Sequence, residues 1–364
     1  MSRFIQLHTL ISYPPANLNR DDLGRPKTAM MGGVERLRVS SQSLKRAWRT
    51  SELFEQKLFS KVGQSEGALG TRTKHLGVEV HEKLKAAGFT EKLAGEYANE
   101  ISKVYGALKK DKPYEIEQLV HVSAEEKASL DKLVAKLIAD KRAPEKEELD
   151  ALLHKQQAAD IAMFGRMLAS KTEHNVEAAV QVAHALGIHA TAVEDDYFTA
   201  VDDLNDSELV KLHRREKGKE VDTGAGHVGE SAFAAAVFYQ YICIDRELLL
   251  QNLGGDHALA QRAIAALIEA ALTVAPGGKQ NSYASRAYAH YALAERGDRQ
   301  PRSLSLAFLK PLGGSDYAIG GIAALTSVRE NMDKVYGACA DSRYELDVIK
   351  GEGSLQALLA FAAE

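Results

Sequence analysis

Four short stretches of the 364-residue chain carry an apolar period of two, and long segments of different chemistry separate them. From Arg3 to Ser12, Ile5, Leu7, Thr9 and Ile11 share one face of an extended chain that Pro14-Pro15 closes. The alternation returns at 176–182, where Val176, Ala178, Val180 and Val182 alternate with Glu177, Ala179 and Gln181. FAAAVFYQYICI (233–244) and RAYAHYAL (286–293) complete the set. Successive strand side chains point to opposite faces, so each stretch predicts a strand with a core-facing side.

Helical spacing fills two of the intervals. After a short strand Arg36-Leu37-Arg38-Val39, Ser40 and Ser41 suit the cap of a helix running to about Lys57, and Asp256 suits the cap of another over about 258–274. Two insertions interrupt this core. Residues from about 60 to 175 are helix-rich: Ser123 and Glu126 have capping-box spacing, and Leu130, Leu133, Val134, Leu137 and Ile138 follow at i, i+3, i+4, i+7, i+8. Residues 193–232 form a polar, glycine-bearing excursion. Without the insertions the order is strand, helix, strand, strand, helix, strand. That order predicts an α+β chain with a ferredoxin-like or RNA-recognition-motif core.

Composition narrows the class. The chain is 45% hydrophobic and 26% charged, and no run of about 18 uncharged apolar residues occurs. The N-terminal stretch lacks the length and cleavage site of a secretion signal, so a cytoplasmic protein with no membrane partner is expected. Two cysteines, Cys243 and Cys339, cannot build a disulfide framework, and the twelve histidines show no metal-ligand spacing. No metal or cofactor is expected; His184 and His189 read as structural. The formal net charge of −4 hides a gradient: residues 1–50 hold nine Lys/Arg against three Asp/Glu, which is +6 and leaves −10 for the remainder. Such asymmetry points to a local anion-binding surface.

The basic segment has an ordered layout. On a helical wheel Leu44, Ala47, Trp48 and Ser51 share one side, while Gln42, Lys45, Arg46 and Arg49 share the other. Cations beside a helix N-terminus suit a phosphodiester backbone, and Ser40 and Ser41 are expected to leave amides free for it. A solvated helix face fits the same pattern. The preceding loop adds Arg20, Arg25 and Lys27; its Asp21 and Asp22 suit salt bridges or, in a second reading, a metal or general-base carboxylate. In 275–286, Gly277 and Gly278 permit close backbone approach, and Lys279, Gln280, Asn281 and Ser282 offer donors to a phosphate or ribose, although an ordinary connection fits as well. GxxxxGK[ST] is absent, so nucleotide hydrolysis has no support. Tyr197, Phe198 and Thr199 stand where the excursion begins, suited to base stacking or to clamping a loop. Its middle holds Lys211, Arg214, Arg215, Lys217 and Lys219. Arg166 and Met167 close the helical insertion, with Met167 suited to a base contact or to packing.

The segments LNRDD (18–22), RLRVSSQSLKRAWR (36–49), GRM (165–167), DDYFTAVDDL (195–204), NLGG (252–255) and PGGKQNSYA (276–284) together resemble the CasC family. Its members are guide-RNA-binding backbone subunits of type I-E CRISPR Cascade. The resemblance spans essentially the whole chain. It implies a hand-shaped molecule with palm segments at 1–58, 176–192 and 233–364, helical fingers at 59–175 and a thumb at 193–232. It also implies several copies along one CRISPR RNA, kinking the strand at intervals, with target DNA read by base pairing. By the resemblance, Lys27, Ser40, Gln42, Lys45, Arg46 and Arg49 contact the RNA backbone, and Met167, Tyr197, Phe198 and Thr199 border the kinked nucleotide. Arg20, Arg166, Lys279 and Gln280 complete the expected RNA-binding set. Tyr197 stands where the family often carries tryptophan, and a phenol ring also stacks. The expected partners are CRISPR RNA, target DNA, neighbouring copies of the chain, and the large, small, 5′-handle and crRNA-processing endonuclease subunits. No enzymatic activity is implied. The alternative is a metal-dependent RNA endonuclease using Asp21 or Asp22, as in related backbone subunits.

Overall fold

The first strand, β1 (Phe4–Ala16), is buried without interruption from Ile5 to Ile11, so both of its faces are covered. The computed structural model describes residues 2–59, 69–154, 158–168, 171–200 and 227–364. It has a mixed α+β fold built on an antiparallel sheet. The remaining strands are β2 (Thr28–Met31), β3 (Val34–Val39), β4 (Thr71–Thr73), β5 (Val120–Val122), β6 (Val180–Val182), β7 (Ala185–Gly187), β8 (Glu194–Ala200), β9 (His227–Asp245), β10 (Ala289–Gly297) and β11 (Ser342–Asp347). The main sheet runs β11-β10-β1-β9-β7-β3-β2, with β6 and β8 also paired to β9. β4 and β5 form a separate pair.

The register puts β1 between the two other long strands: Phe4 faces Asp245 of β9 and Gly297 of β10. On one face Ile5, Leu7 and Ile11 pack with Trp48, Phe54, Ile264, Leu267 and Leu358, side chains of helices Ser41–Arg49, Glu52–Leu58, His257–Thr273 and Leu355–Ala363. On the other, Leu10, Tyr239, Tyr291 and Leu293 meet Leu304, Phe308 and Leu325. A further cluster gathers Leu76, Leu84, Ile101, Leu130, Val134 and Leu137 from helices Leu76–Ala86, Glu91–Tyr105 and Ala124–Asp140, with Val120 and Val122 of β5.

Several expected elements differ in detail. The helix expected to reach Lys57 breaks after Arg49. The Thr50 hydroxyl donates to the Arg46 carbonyl and the Ser51 hydroxyl to that of Trp48, while Ser51 accepts the Phe54 amide and caps Glu52–Leu58. The alternation at 176–182 yields a ladder only from Val180, because Val176 pairs its backbone with Arg166 instead. The strand expected at 286–293 lies at Ala289–Gly297, and that at 233–244 is part of the 19-residue β9. Several strands had no forecast, among them β4, β5, β7, β11, and β2, which joins β3 through Gly32 and Gly33 at φ +64° and +80°. Positive φ at both central residues is the demand of a two-residue hairpin turn.

Other expectations hold. Ser123 and Glu126 form the capping box. Cys243 is buried in β9, and burial pushes its thiol up to about 11. His189 stacks on Tyr317 with ring centroids 4.1 Å apart. No helix among the described residues is long and apolar enough to cross a membrane.

Trp48 is 1% exposed and anchors the helix on the sheet. Trp48→Ala is expected to cost about 3–5 kcal/mol of unfolding free energy in urea titration, through lost burial and a residual cavity.

Candidate nucleic-acid interface

Helix Ser41–Arg49 buries Leu44 and Trp48 and turns Gln42 and Arg46 to solvent, with Lys45 and Arg49 half-buried. Cations elsewhere find carboxylates, as Lys57 does Glu269 at 2.8 Å and Arg25 does Asp195 at 3.0 Å. Among the described residues, Lys27, Lys45, Arg46 and Arg49 form no such ion pair. The helix N-terminus corrects the expectation of free amides. Ser40 N–H donates to Asn19 Oδ1 (2.9 Å), Ser41 N–H to His184 Nδ1 (3.3 Å), and Ser43 N–H to the Ser40 hydroxyl (3.3 Å). Ser40 is therefore a buried cap, not an exposed phosphate donor, and what the face presents is its cations. Burial, then the charges of Arg38, Lys27 and Lys45, lowers the His184 pKa, which favours the neutral, accepting ring.

A second segment meets this helix. Gly165, at φ +79°, turns the chain after helix Ala159–Phe164 so that an added Cβ would lie 2.9 Å from the Val176 carbonyl. Met167 then stands 85% exposed. Arg166 points the other way, against the expectation of an RNA contact. Its guanidinium donates to Glu126 at 2.7 Å and to the His121 carbonyl at 3.2 Å, and the pair is buried. Glu126 also accepts the Ser123 and His154 amides. Gln42, Lys45, Arg46 and Arg49 thus face Met167 across one hollow of about 430 Å³, which Arg72 and Leu119 also line.

Arg46 borders a second hollow, of about 520 Å³, with Asn19, Arg20, Asp21, Gly277 and Gly278. Gly278 lets the 276–280 loop press on the first one: a Cβ there would lie 2.2 Å from the Leu18 carbonyl oxygen. Two of its side chains are engaged within the fold. Lys279 donates to the Ser231 hydroxyl at 2.9 Å, and Gln280 donates to the Pro276 and Ser285 carbonyls, so neither is the free donor expected from sequence. Asp21 Oδ1 accepts the Leu23 and Arg25 amides, each at 2.9 Å. Among the described residues no three His, Cys, Asp or Glu side chains gather as a metal site.

The β8–β9 hairpin rises beside these loops. Asn17 donates to the Ala232 carbonyl, Lys279 holds Ser231, and Arg25 pairs with Asp195. Tyr197 and Thr199 share one face of β8 and Phe198 takes the other, so the three do not act on one surface. Tyr197 is 64% exposed, whereas the Phe198 ring covers Gly229, its cross-strand partner. Lys211, Arg214, Arg215, Lys217 and Lys219 lie outside the described residues.

Of the lining residues, Arg72, Leu119, His121 and Phe164 had no sequence forecast. Arg72 and Leu119 reach the hollow because β4 and β5 pair across the intervening helices Leu76–Ala86 and Glu91–Tyr105, and no local motif announces that pairing. Arg166→Ala would leave the Glu126 carboxylate buried without its counter-charge. It is expected to cost about 3–5 kcal/mol in chemical denaturation, with a smaller loss for the paired exchange Arg166→Met/Glu126→Gln.

No curated protein matches the sequence. Solved structures share its fold, among them the following two. One chain of a "CRISPR RNA-guided surveillance complex, pre-nicking" is 28% identical with a TM-score of 0.78, the match covering 99% of this chain and 100% of that one. A chain of a "CRISPR RNA-guided surveillance complex" is 24% identical with a TM-score of 0.70 and the same coverage, 99% and 100%. The family described as CT1975-like protein (Cas_CT1975) matches residues 5–352, and with nearly its whole length inside that match the chain belongs to this family.

Proposed function

We propose that this chain is a crRNA-binding backbone subunit of type I-E Cascade, a non-catalytic scaffold that assembles in several copies along a guide RNA and presents it to invading DNA. The carrying observation is the convergence on one hollow of Lys45, Arg46 and Arg49, without carboxylate partners among the described residues, and of an exposed Met167 from a distant segment. Unpaired cations around an open hollow neutralise phosphates without reading bases, as a guide-independent scaffold requires. The likeness to a chain of an RNA-guided surveillance complex over essentially its full length supports the same reading. In this reading the sheet and its helices are a modified ferredoxin-like palm, β8 and β9 begin the thumb, and the helical cluster is the fingers. The partners are CRISPR RNA, target DNA, further copies and the other Cascade subunits, in the cytoplasm. Arg20 and Arg46 carry the backbone onward between the two hollows, and Tyr197 and Thr199 offer the stacking face of the hairpin.

Sequencing the RNA that copurifies from the native host is expected to recover repeat-spacer transcripts; recovery of bulk RNA without them overturns the assignment. Lys45→Ala combined with Arg49→Ala is expected to weaken guide binding and to reduce the slope of log K against log salt by about 1.4, two single-strand phosphate contacts of about 0.7 each. Unchanged affinity and slope in a folded variant would remove this helix from the interface. With Mg²⁺ and complementary RNA no cutting is expected. Cleavage that Asp21→Ala or Asp22→Ala abolishes would replace the scaffold with the nuclease.

A further inference from the structure

Arg72 is exposed on β4, a strand anchored by its pairing with β5 to the helical cluster, whereas Arg49 belongs to the helix packed on the sheet. The two guanidiniums line the same hollow of about 430 Å³. Neither has a carboxylate partner among the described residues. The acidic group whose charge acts on Arg49 is committed elsewhere: Asp160 is buried, pairs with His121 at 2.8 Å, and accepts the Gly70 and Ile161 amides. Burial first, and the charge of Arg72 next, lowers the Arg49 pKa, so the two cations feel one another. Two like charges held this close by separate scaffolds are relieved by an anion between them. A guanidinium fork matches phosphate oxygens geometrically. Leu119, 46% exposed, and Met167 supply an apolar wall beside them. An anionic seat flanked by an apolar surface has the chemistry of a nucleotide unit, with phosphate at the cations and base against the wall.

We infer that Arg72 and Arg49 clamp one backbone phosphate of single-stranded RNA, tying the helical cluster to the sheet. The inference rests on the RNA-binding reading above and adds to it a residue from a segment that carries no recognisable motif. Arg72 also directs the strand from the basic helix toward Leu119 and Met167.

Binding of a short oligouridylate to the full-length chain, followed by fluorescence anisotropy across a salt series, tests this. Arg72→Ala is expected to weaken binding roughly tenfold, the scale of a charge-assisted contact. The salt slope should fall by about 0.7. Because one phosphate is shared, Arg72→Ala/Arg49→Ala should lower the slope by that same single step, and the effects on affinity should be less than additive. Arg72→Lys is expected to keep the slope while losing part of the affinity, since the charge remains and the fork does not. A folded Arg72→Ala chain that binds like wild type, while Lys45→Ala/Arg49→Ala binds weakly, overturns the clamp and leaves the RNA-binding reading standing. Additive slope losses assign the two arginines to separate phosphates and also overturn it. A wild-type chain that does not bind the oligonucleotide overturns both.

Discussion

The Glu126 carboxylate, fully buried, is the point on which the layout of the interface depends. It closes its own helix as half of a capping box, accepts the amide of His154, and neutralises Arg166. A buried ion pair adds little stability over an apolar pair of the same shape, because both charges are taken out of water. What it supplies is position. With the Arg166 guanidinium held inside and its backbone paired to Val176, the next residue, Met167, has to emerge at the surface beside the basic helix.

The basic helix shows how an acidic chain makes a local anion surface. Its apolar side carries Leu44 and Trp48 into the core, which orients Gln42, Lys45, Arg46 and Arg49 outward together. The serines at its start are used for capping, so what the face presents is side-chain charge and not the amides of Ser40, Ser41 and Ser43. A net charge of −4 is therefore an average over two unlike regions. Among the described residues, the carboxylates that neutralise cations elsewhere do not reach this face.

The loops around the second hollow depend on close backbone approach. Gly278 lies against Leu18 where no side chain fits, and the buried Asn17 amide joins the Gly24 and Ala232 carbonyls, binding the polar loop to β9. Along the hairpin, the period of two gives Tyr197 to one surface and Phe198 to the other, where its ring fills the space over Gly229.

Sequence alone determined whatever depends on neighbours a few residues apart: the strand periods of β1 and β9, the capping box at Ser123, and the separation of apolar and cationic sides on the helix from Ser41. The resemblance carried by the basic segment, the GRM turn and the glycine loop likewise pointed to an RNA-guided complex before any geometry. Tertiary structure decided the rest. It turned Arg166 inward, because a buried carboxylate from a distant helix waited for it, and it occupied Lys279 with Ser231 of β9 and Gln280 within its own loop. It also brought Arg72 and Leu119 to the basic helix through a strand pair with no local signature. Spacing along the chain specifies which face a side chain takes, but which charges remain unpaired depends on every segment that folds against them.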